Sequence, residues 1–557
     1  MQKVVSALEM REIDRLTAER FATPTLVLME AAAGAALQAI AERFDNCLAG
    51  KRVRVLCGRG NNGGDGAALA RAFWLSGARA EVVLFGRVDE TVGDARVNFE
   101  IVRRLSSFEA GSRTLPPPLI FVECETLAEW EEVAGTRHSH DIIVDALFGT
   151  GLTRPLMGIH LQVVEHLALM LEARERSPKC EPLIVALDLP SGLNADSAQL
   201  IGEAVQADLT ITFTAPKSAN VLPPASHHGG QLVVAGIGSP PILLHTSHSQ
   251  LFVTEEADAR DFLHQTRYTP DSYKNTHGHA LIIAGSREMA GAAAMCGNAA
   301  MHAGAGLVTI ATSLSAQPAV AAQALAEIMT AALPETTSGA PSAEAIERAL
   351  DLMKRSSVVA IGPGLSFADE STRRFVRNVV EHRTTAIVID ADALNALAPW
   401  PEDLGGSTEH PLILTPHPGE MARLMGTDDK ADLTDRVQVA REFATRHALI
   451  LVLKGTRTLI AAPDGSVYIN PTGNAGLGTA GAGDTLTGVI TGFLAQAAGT
   501  LKQDADALAA TIAAVYTSGL AGDMAARALG LRAMLASDIT RHLGAAIAKL
   551  NPHGEEL

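Results

Sequence analysis

Cysteine is scarce in this chain and badly placed for cross-linking. The five, Cys47, Cys57, Cys124, Cys180 and Cys296, are odd in number, scattered over 557 residues and never spaced as CxxC. Neither a disulfide framework nor a zinc site is indicated, and a reducing compartment is expected. Aromatic residues are thin as well, 4% against 47% hydrophobic residues; a chain rich in Ala and Gly suits helices packed closely on parallel sheets better than an aromatic-rich β-sandwich. Basic charge is also lacking. With 45 Lys and Arg against 62 Asp and Glu, the net charge of −17 argues against nucleic acid or an anionic membrane as partner, since both need a basic surface. The first twenty residues carry charges throughout and lack the apolar segment of a signal peptide, and no later run reads as long and apolar enough to span a bilayer. A cytoplasmic protein with small-molecule partners is expected, in which any anionic ligand is held by local devices.

What the chain does have is glycine, 49 residues of it, gathered into short polar turns. A chain of this length exceeds one ordinary core, so two domains are expected. In the first half, β-branched runs at 52–56, 81–85, 119–122, 141–147, 183–189 and 209–213 alternate with helical stretches. That is the βαβ rhythm of a parallel sheet covered on both faces, in which ligands sit beyond the carboxyl ends of the strands. The informative residues fall there. The first run leads into CGRGNNGGDG (57–66), a glycine turn with a helix expected to begin near Asp65, similar to a dinucleotide fingerprint in physics but not in spacing. The fourth leads into FGTGLTRP (148–155), the fifth into DLPSG with Asp188 and Ser191, and the sixth into TFTAPKSAN with Lys217. Asn62, Asp145 and Ser191 are oxygen donors of the kind that suits a hard cation.

GxGNNGGDG, VDALFGTG and LDLPSG, in that order and spacing, resemble the NAD(P)H-hydrate epimerase domain over roughly residues 1–240. The resemblance implies a Rossmann-like fold in which Asn61, Asn62, Gly63, Gly64 and Asp65, with Gly149, Thr150, Gly151, Leu152, Thr153, Arg154 and Pro155, bind a damaged nicotinamide dinucleotide. It further implies that Asn62, Asp145 and Ser191 hold K+ and that Asp188 lies at the hydrated ring. Inverting a carbon that bears a hydroxyl requires moving protons, which makes Asp188 the expected catalytic acid/base. The plainer alternative for Asp188 is a cap or turn carboxylate.

From Gly236 the chain reads GIGSPPILLHTSHSQ, with little periodic pattern, and the domain boundary is placed between about residues 238 and 262, with His245 and His248 in a solvated linker. Beyond it, DSYKNTHGHALIIAGS (271–286) carries a strand ending in a glycine turn, and AGAAAMCGNAAMHAGAG (290–306) a small-residue helix whose Met and Ala are expected in the core. Polar turns follow at IGPGL (361–365), DADALN (390–395), TPHPGE (415–420) and LKGTRT (453–458). His417 is either a ligand contact or a buried structural histidine, and Glu420 a first-turn carboxylate. Asp390 and Asp392 could approach magnesium through water, without a dedicated all-protein cage.

The stretch TGNAGLGTAGAGDTLTG (472–488) holds six glycines and one charged residue, Asp484, just before an apolar run. Glycines free the backbone to turn N–H groups toward an anion, and a helix start adds partial positive charge, so a transferring phosphoryl group is favoured there. Asp484 beside it could take the proton from an attacking hydroxyl; the alternative is an ordinary Asp cap.

KGT, a hairpin, then GTAGAGD at a helix start resembles the ribokinase-like superfamily. TPHPGE, DADALN, GPGL and NPTGNAGLGTAGAGD narrow this to the ADP- or ATP-dependent NAD(P)H-hydrate dehydratase domain, over about residues 255–557. The resemblance implies nucleotide contacts from Lys454, Gly455, Thr456, Arg457 and Thr458 and from Asn474, Ala475, Gly476, Leu477, Gly478, Thr479, Ala480, Gly481, Ala482 and Gly483. Ala292, Gly364, His417 and Asp484 would face the hydrated cofactor, although the turn before Ala292 reads SREMAGA here. Together the halves resemble the bifunctional nicotinamide nucleotide repair enzymes. That implies a two-domain α/β chain, a homo-oligomer, that interconverts the R and S forms of NADHX and NADPHX in the presence of K+. The S form is then dehydrated with Mg2+ and ADP, giving AMP and phosphate, the fused arrangement favouring ADP over ATP. The alternatives are a ribokinase-like kinase of a small vitamin-precursor alcohol, and a first half that only binds or scaffolds.

Overall fold

The computed structural model describes residues 1–107, 119–135, 140–176 and 182–551; Cys180 and residues 552–557 of the expected second domain lie outside them. The chain divides into two compact units, Lys3–Ser249 and Gln250–Leu557, the second joined by Met1–Gln2.

The first unit is built on seven strands: β1 (Arg52–Cys57), β2 (Arg79–Phe85), β3 (Ile120–Cys124), β4 (Ile142–Ala146), β5 (Leu183–Leu187), β6 (Leu209–Phe213) and β7 (Gln231–Ala235). They run parallel in the order β3-β2-β1-β4-β5-β6-β7. The central strands are apolar on both faces because helices cover both: Val53, Val55 and Val144 enter one core cluster, Leu56, Ile143 and Ile184 the other. Only β7 has no counterpart among the sequence runs; QLVVA is short and lies on the sheet edge, half-buried along most of its length. Strand order reverses between β1 and β4, so the turns that follow them open a crevice at the switch point.

The helix after β1 spans Asn61–Leu75, starting four residues before the expected Asp65. The glycines were expected to form a turn, yet Gly63 and Gly64 are helical, with Gly64 N–H donating to Gly60 O at 3.1 Å. None of Gly58, Gly60, Gly63 and Gly64 has a positive φ. Close approach is what requires them: a Cβ on Gly58 would lie 1.9 Å from Leu147 O, and one on Gly63 would lie 1.8 Å from Gly58 O. The helix is thereby drawn down onto the end of β4.

One expectation needs correction. Thr25–Phe44 is 20 residues with mean hydropathy 1.3, long and apolar enough to cross a membrane by length and composition. Its small-residue face, AAAGAALQAI, explains the apolarity otherwise: Leu28, Ala32, Ala33, Ala36 and Ile40 are buried in the cluster that covers the sheet.

The second unit contains β8 (Leu251–Val253), β9 (His279–Ile283), β10 (Leu307–Ser313), β11 (Met329–Leu333), β12 (Val358–Ile361), β13 (Ala386–Ile389), β14 (Leu412–Leu414), β15 (Ile450–Leu453), β16 (Leu459–Ala461) and β17 (Val467–Ile469). They lie in the order β8-β17-β16-β15-β14-β13-β12-β9-β10-β11. Pairing is parallel from β15 to β11 and antiparallel through β15, β16 and β17. The helix Ala290–His302 buries Ala293, Cys296, Ala299 and Ala300 in the core, as its composition predicts. It packs against the helix Ala482–Thr500 so closely that a Cβ on Gly488 would lie 2.2 Å from Cys296 O.

Candidate functional site

In the first unit the carboxyl ends of β1, β4, β5 and β6 surround a cleft of about 600 Å³. Asn61, Asn62, Asp65, Gly149, Thr150, Gly151, Leu152 and Asp188 line it; Thr153, Arg154 and Pro155 do not. Gly63 and Gly64 point elsewhere, a Cβ on Gly64 meeting Ala95 Cα at 2.8 Å. Their role is to seat the helix, not to form the wall.

Asp188 follows β5 in left-handed backbone, φ +63°, a conformation that costs a non-glycine residue energy and gathers at functional positions. Asn220 Nδ2 donates to its carbonyl at 3.1 Å. Its carboxylate does no turn or cap work: Oδ1 accepts from Lys217 Nζ at 2.5 Å and from Thr212 Oγ1 at 3.0 Å. Lys217 is 1% exposed and donates also to Thr212 Oγ1 and Phe213 O, so its ammonium is fixed beneath the cleft. The other carboxylate oxygen faces the glycine turn, since a Cβ on Gly149 would lie 3.3 Å from Asp188 Oδ2 and 3.4 Å from Asn62 Cγ.

Asp145 and Ser191 lie under this wall. Ser191 Oγ donates to Asp145 Oδ1 at 2.6 Å and accepts from Phe148 N at 2.9 Å, while Ser191 N–H donates to Asp145 Oδ2 at 2.7 Å. Burial pushes the Asp145 carboxyl up to about 6 against the pull of these hydrogen bonds. Asn62 is 8% exposed, and among the described residues neither its Oδ1 nor its Nδ2 has a hydrogen-bond partner.

Asp14, from the helix Ala7–Phe21, also lines the cleft and was not singled out in the sequence. A signal existed: it lies four residues after Met10 and three before Thr17, both buried, on the inward face of an amphipathic helix. Burial, with Asp188 adding and Lys217 opposing, pushes its carboxyl up to about 6.

In the second unit the helix Ala482–Thr500 begins at Gly481, φ +86°, with no side-chain cap. Asp484 therefore sits inside the first turn and does not cap, contrary to the plainer alternative. Burial pushes its carboxyl up to about 6, with Asp390, Asp392 and Glu420 adding and Lys454 opposing. Lys454 Nζ donates to Asp390 Oδ1 at 2.8 Å and lies 3.8 Å from Glu420 Oε2; Thr487 Oγ1 donates to Asp390 Oδ2 at 2.7 Å. Burial alone would raise Asp390, but the Lys454 charge and the hydroxyls hold it below the usual carboxylate range. A Cβ on Gly483 would lie 3.4 Å from Lys454 Nζ, so the ammonium stands directly under the helix N-terminus. Thr485 Oγ1 is buried there without a partner among the described residues.

Gly364, φ +62°, would bring a Cβ within 2.9 Å of Ala292 Cβ, so these two residues meet. His417 is exposed and caps the helix Pro418–Met425, its Nδ1 accepting from Gly419 N at 2.9 Å and Glu420 N at 3.3 Å; it is not the buried histidine weighed from sequence. This puts the ring proton on Nε2. Glu420 is the first-turn carboxylate expected, but it is 5% exposed and faces Lys454 as well.

Lys454, Gly455, Thr456, Arg457 and Thr458 form the turn between β15 and β16. Arg457 spends its guanidinium on Pro471 O at 2.6 Å, bracing the loop that follows. Asn474 caps the short 3₁₀ turn Ala475–Gly478 through Gly476 N at 2.9 Å. Leu477 packs against the core, Thr479 precedes the uncapped start at Gly481, and Ala480 is exposed. The loop is anchored by Asp523, which the sequence reading missed: it accepts from Gly473 N at 3.0 Å and Asn474 Nδ2 at 2.8 Å.

Residues 25–219 match the family model of the YjeF-related protein N-terminus, and residues 280–544 that of NAD(P)H-hydrate dehydratase. The bifunctional NAD(P)H-hydrate repair enzyme Nnr of Moorella thermoacetica is 39% identical over 554 residues, covering 100% of this chain and 98% of the relative. The chain belongs to the family of bifunctional NAD(P)H-hydrate repair enzymes. The Nnr enzyme of Thermofilum pendens is 35% identical over 555 residues, with 100% and 98% covered. Among solved structures, the ADP/ATP-dependent NAD(P)H-hydrate dehydratase from Bacillus subtilis, co-crystallized with ATP and Mg2+, is 32% identical and covers 54% of this chain and 99% of that one, with TM-score 0.46. Each matched region falls inside one compact unit.

Proposed function

We propose that the chain repairs hydrated NADH and NADPH, with residues 1–240 interconverting the R and S epimers and residues 255–557 dehydrating the S epimer at the expense of ADP. The observation that carries this reading is the position of Asp484. It stands in the first turn of an uncapped helix whose N–H groups favour phosphate, with the half-buried Lys454 ammonium below and no side-chain hydrogen bond among the described residues.

Dehydration has to expel hydroxide, a poor leaving group. Asp484 takes the proton of the substrate hydroxyl as its oxygen attacks the β-phosphorus of ADP, and AMP departs. The N–H groups around Gly481, Ala482 and Gly483 hold the phosphoryl oxygens, and Lys454 adds positive charge. The ring nitrogen then pushes the phosphate out, the neighbouring ring carbon gives up its proton to the departing phosphate or to water, and the ring regains its double bond. Gly364 and Ala292 meet where a Cβ on Gly364 would lie 2.8 Å from Met289 O; with His417 they are the residues that would face the hydrated cofactor. Asp390 and Asp392 would approach Mg2+ through water, since that ion takes one or two carboxylates together with nucleotide phosphates; it would neutralise phosphate charge.

In the first unit Asp188 faces the ring and exchanges protons as the carbon–oxygen bond breaks and reforms, with Lys217 and Thr212 fixing its orientation. Asn61, Asn62, Gly149, Thr150, Gly151 and Leu152 line the cleft that takes the dinucleotide. Asn62, Asp145 and Ser191 suit K+: all offer oxygen, and the buried Asn62 amide has no hydrogen-bond partner among the described residues. The ion would supply positive charge beside the dinucleotide. The test is direct. Purified protein with ADP and magnesium should restore NADH absorbance from the mixed hydrate; no recovery overturns the reading.

A further inference from the structure

We propose that Asp14 is a second proton-transfer residue of the first cleft, giving the substrate hydroxyl the proton it needs to leave while Asp188 accepts the proton of the incoming water. The proposal rests on the epimerase reading above.

Three observations carry it. Asp14 lines the cleft that contains Asp188 and Lys217, although it comes from the helix Ala7–Phe21, ahead of the first strand of the sheet. Its Oδ1 is buried and has no hydrogen-bond partner among the described residues, so this oxygen is held out of water for no structural return. The two carboxyls are also unequal: Asp188 Oδ1 takes both the Lys217 ammonium and the Thr212 hydroxyl, whereas Asp14 takes neither. A carboxyl that is ion-paired and one that is not, in one crevice, divide naturally into base and acid. The upward shift of Asp14, caused by burial and by Asp188, agrees with that division. The other cleft acids are less suited. Asp94 accepts from Thr25 Oγ1; Asp65, one turn from Asn62 in the helix Asn61–Leu75, is also raised by burial but, unlike Asp14, has no oxygen buried without a partner among the described residues.

The chemistry balances. Water adds to an enamine with its hydroxyl on the carbon beside nitrogen, so in the hydrate the ring nitrogen can push that hydroxyl out. The carbon–oxygen bond breaks, the oxygen takes the Asp14 proton and leaves as water, and an iminium ion remains. Water then adds to the opposite face, and its extra proton goes to Asp188. Proton exchange with solvent returns both carboxyls to their starting states.

The experiment uses full-length protein and the separated hydrate epimers, measuring epimer exchange, ADP-driven dehydration of the S form, and KM for each. Asp14→Asn is expected to lower kcat for exchange about 10²- to 10⁴-fold, with KM and dehydration unchanged, and Asp14→Glu to recover part of the loss. Calorimetric binding of the hydrate to Asp14→Asn confirms that its cleft is intact. Exchange within about threefold of wild type, or a raised KM with kcat kept, overturns the role of Asp14. No exchange by wild type above the no-enzyme rate overturns the epimerase reading itself.

Discussion

Each half of the chain pairs an inward lysine, Lys217 buried and Lys454 half-buried, with aspartates, and uses it differently. In the first unit Lys217 donates straight to Asp188, the carboxylate proposed to act there. In the second, Lys454 donates to Asp390 and leaves Asp484 to face Asp390, Asp392 and Glu420. One lysine orients its carboxylate; the other neutralises a neighbour and lets the reacting carboxyl rise to about 6. The same residue types thus yield a carboxylate tied to its lysine and one left beside other carboxylates, because a carboxylate's behaviour follows its partner and its burial rather than its identity.

Removing the Asp484 carboxyl should have the largest effect. Asp484→Asn is expected to cut ADP-driven dehydration by about 10²- to 10⁴-fold while epimer exchange persists, read by following both reactions in one preparation. Loss of both in a folded variant would merge the two sites into one.

Lys217→Met comes next. It strands the Asp188 carboxylate beside an apolar side chain, and breaking a buried pair this way costs about 3–5 kcal/mol; the first unit should unfold at lower denaturant with its exchange activity lost. Lys454→Met should spare that unit and shift the unfolding of the second.

Asp523→Ala frees Gly473 N–H and the Asn474 amide, so the loop leading to Gly481 loses its anchor. The KM for ADP is expected to rise by about tenfold, equivalent to roughly 1.4 kcal/mol, with the KM of epimer exchange unchanged.

The last effect is on stability. Folding raises the Asp484 pKa from 3.8 to about 6, so the folded state binds this proton more tightly than the unfolded chain. Stability is lost as pH rises between those values, by on the order of 2–3 kcal/mol near pH 7. Asp484→Asn should therefore raise the Tm near pH 7.5 and leave it unchanged near pH 4, while the wild-type dehydration rate should fall as pH drops through about 6.

The first sheet was legible because its central strands are buried on both faces and read as apolar runs, 142–146 and 183–187 above all; in the second, the strand at His279–Ile283 was read directly and others only through the polar turns at their ends. The small-residue helix at Ala290–His302 was equally plain. The helix start at Asn61 was not, because glycine signals turns by propensity, whereas here the lack of a side chain lets the helix touch Leu147 and Gly58. Asp188 and Asp484 stood out at strand or helix ends. Asp14 and Asp523 did not, since each comes from a helix far in sequence from the motif it serves, and no local pattern connects them.

Every apolar core cluster named above draws its members from one unit alone. Cooperative melting is carried by a shared core, so a substitution inside one of these clusters should shift first the calorimetric transition of the unit that holds it.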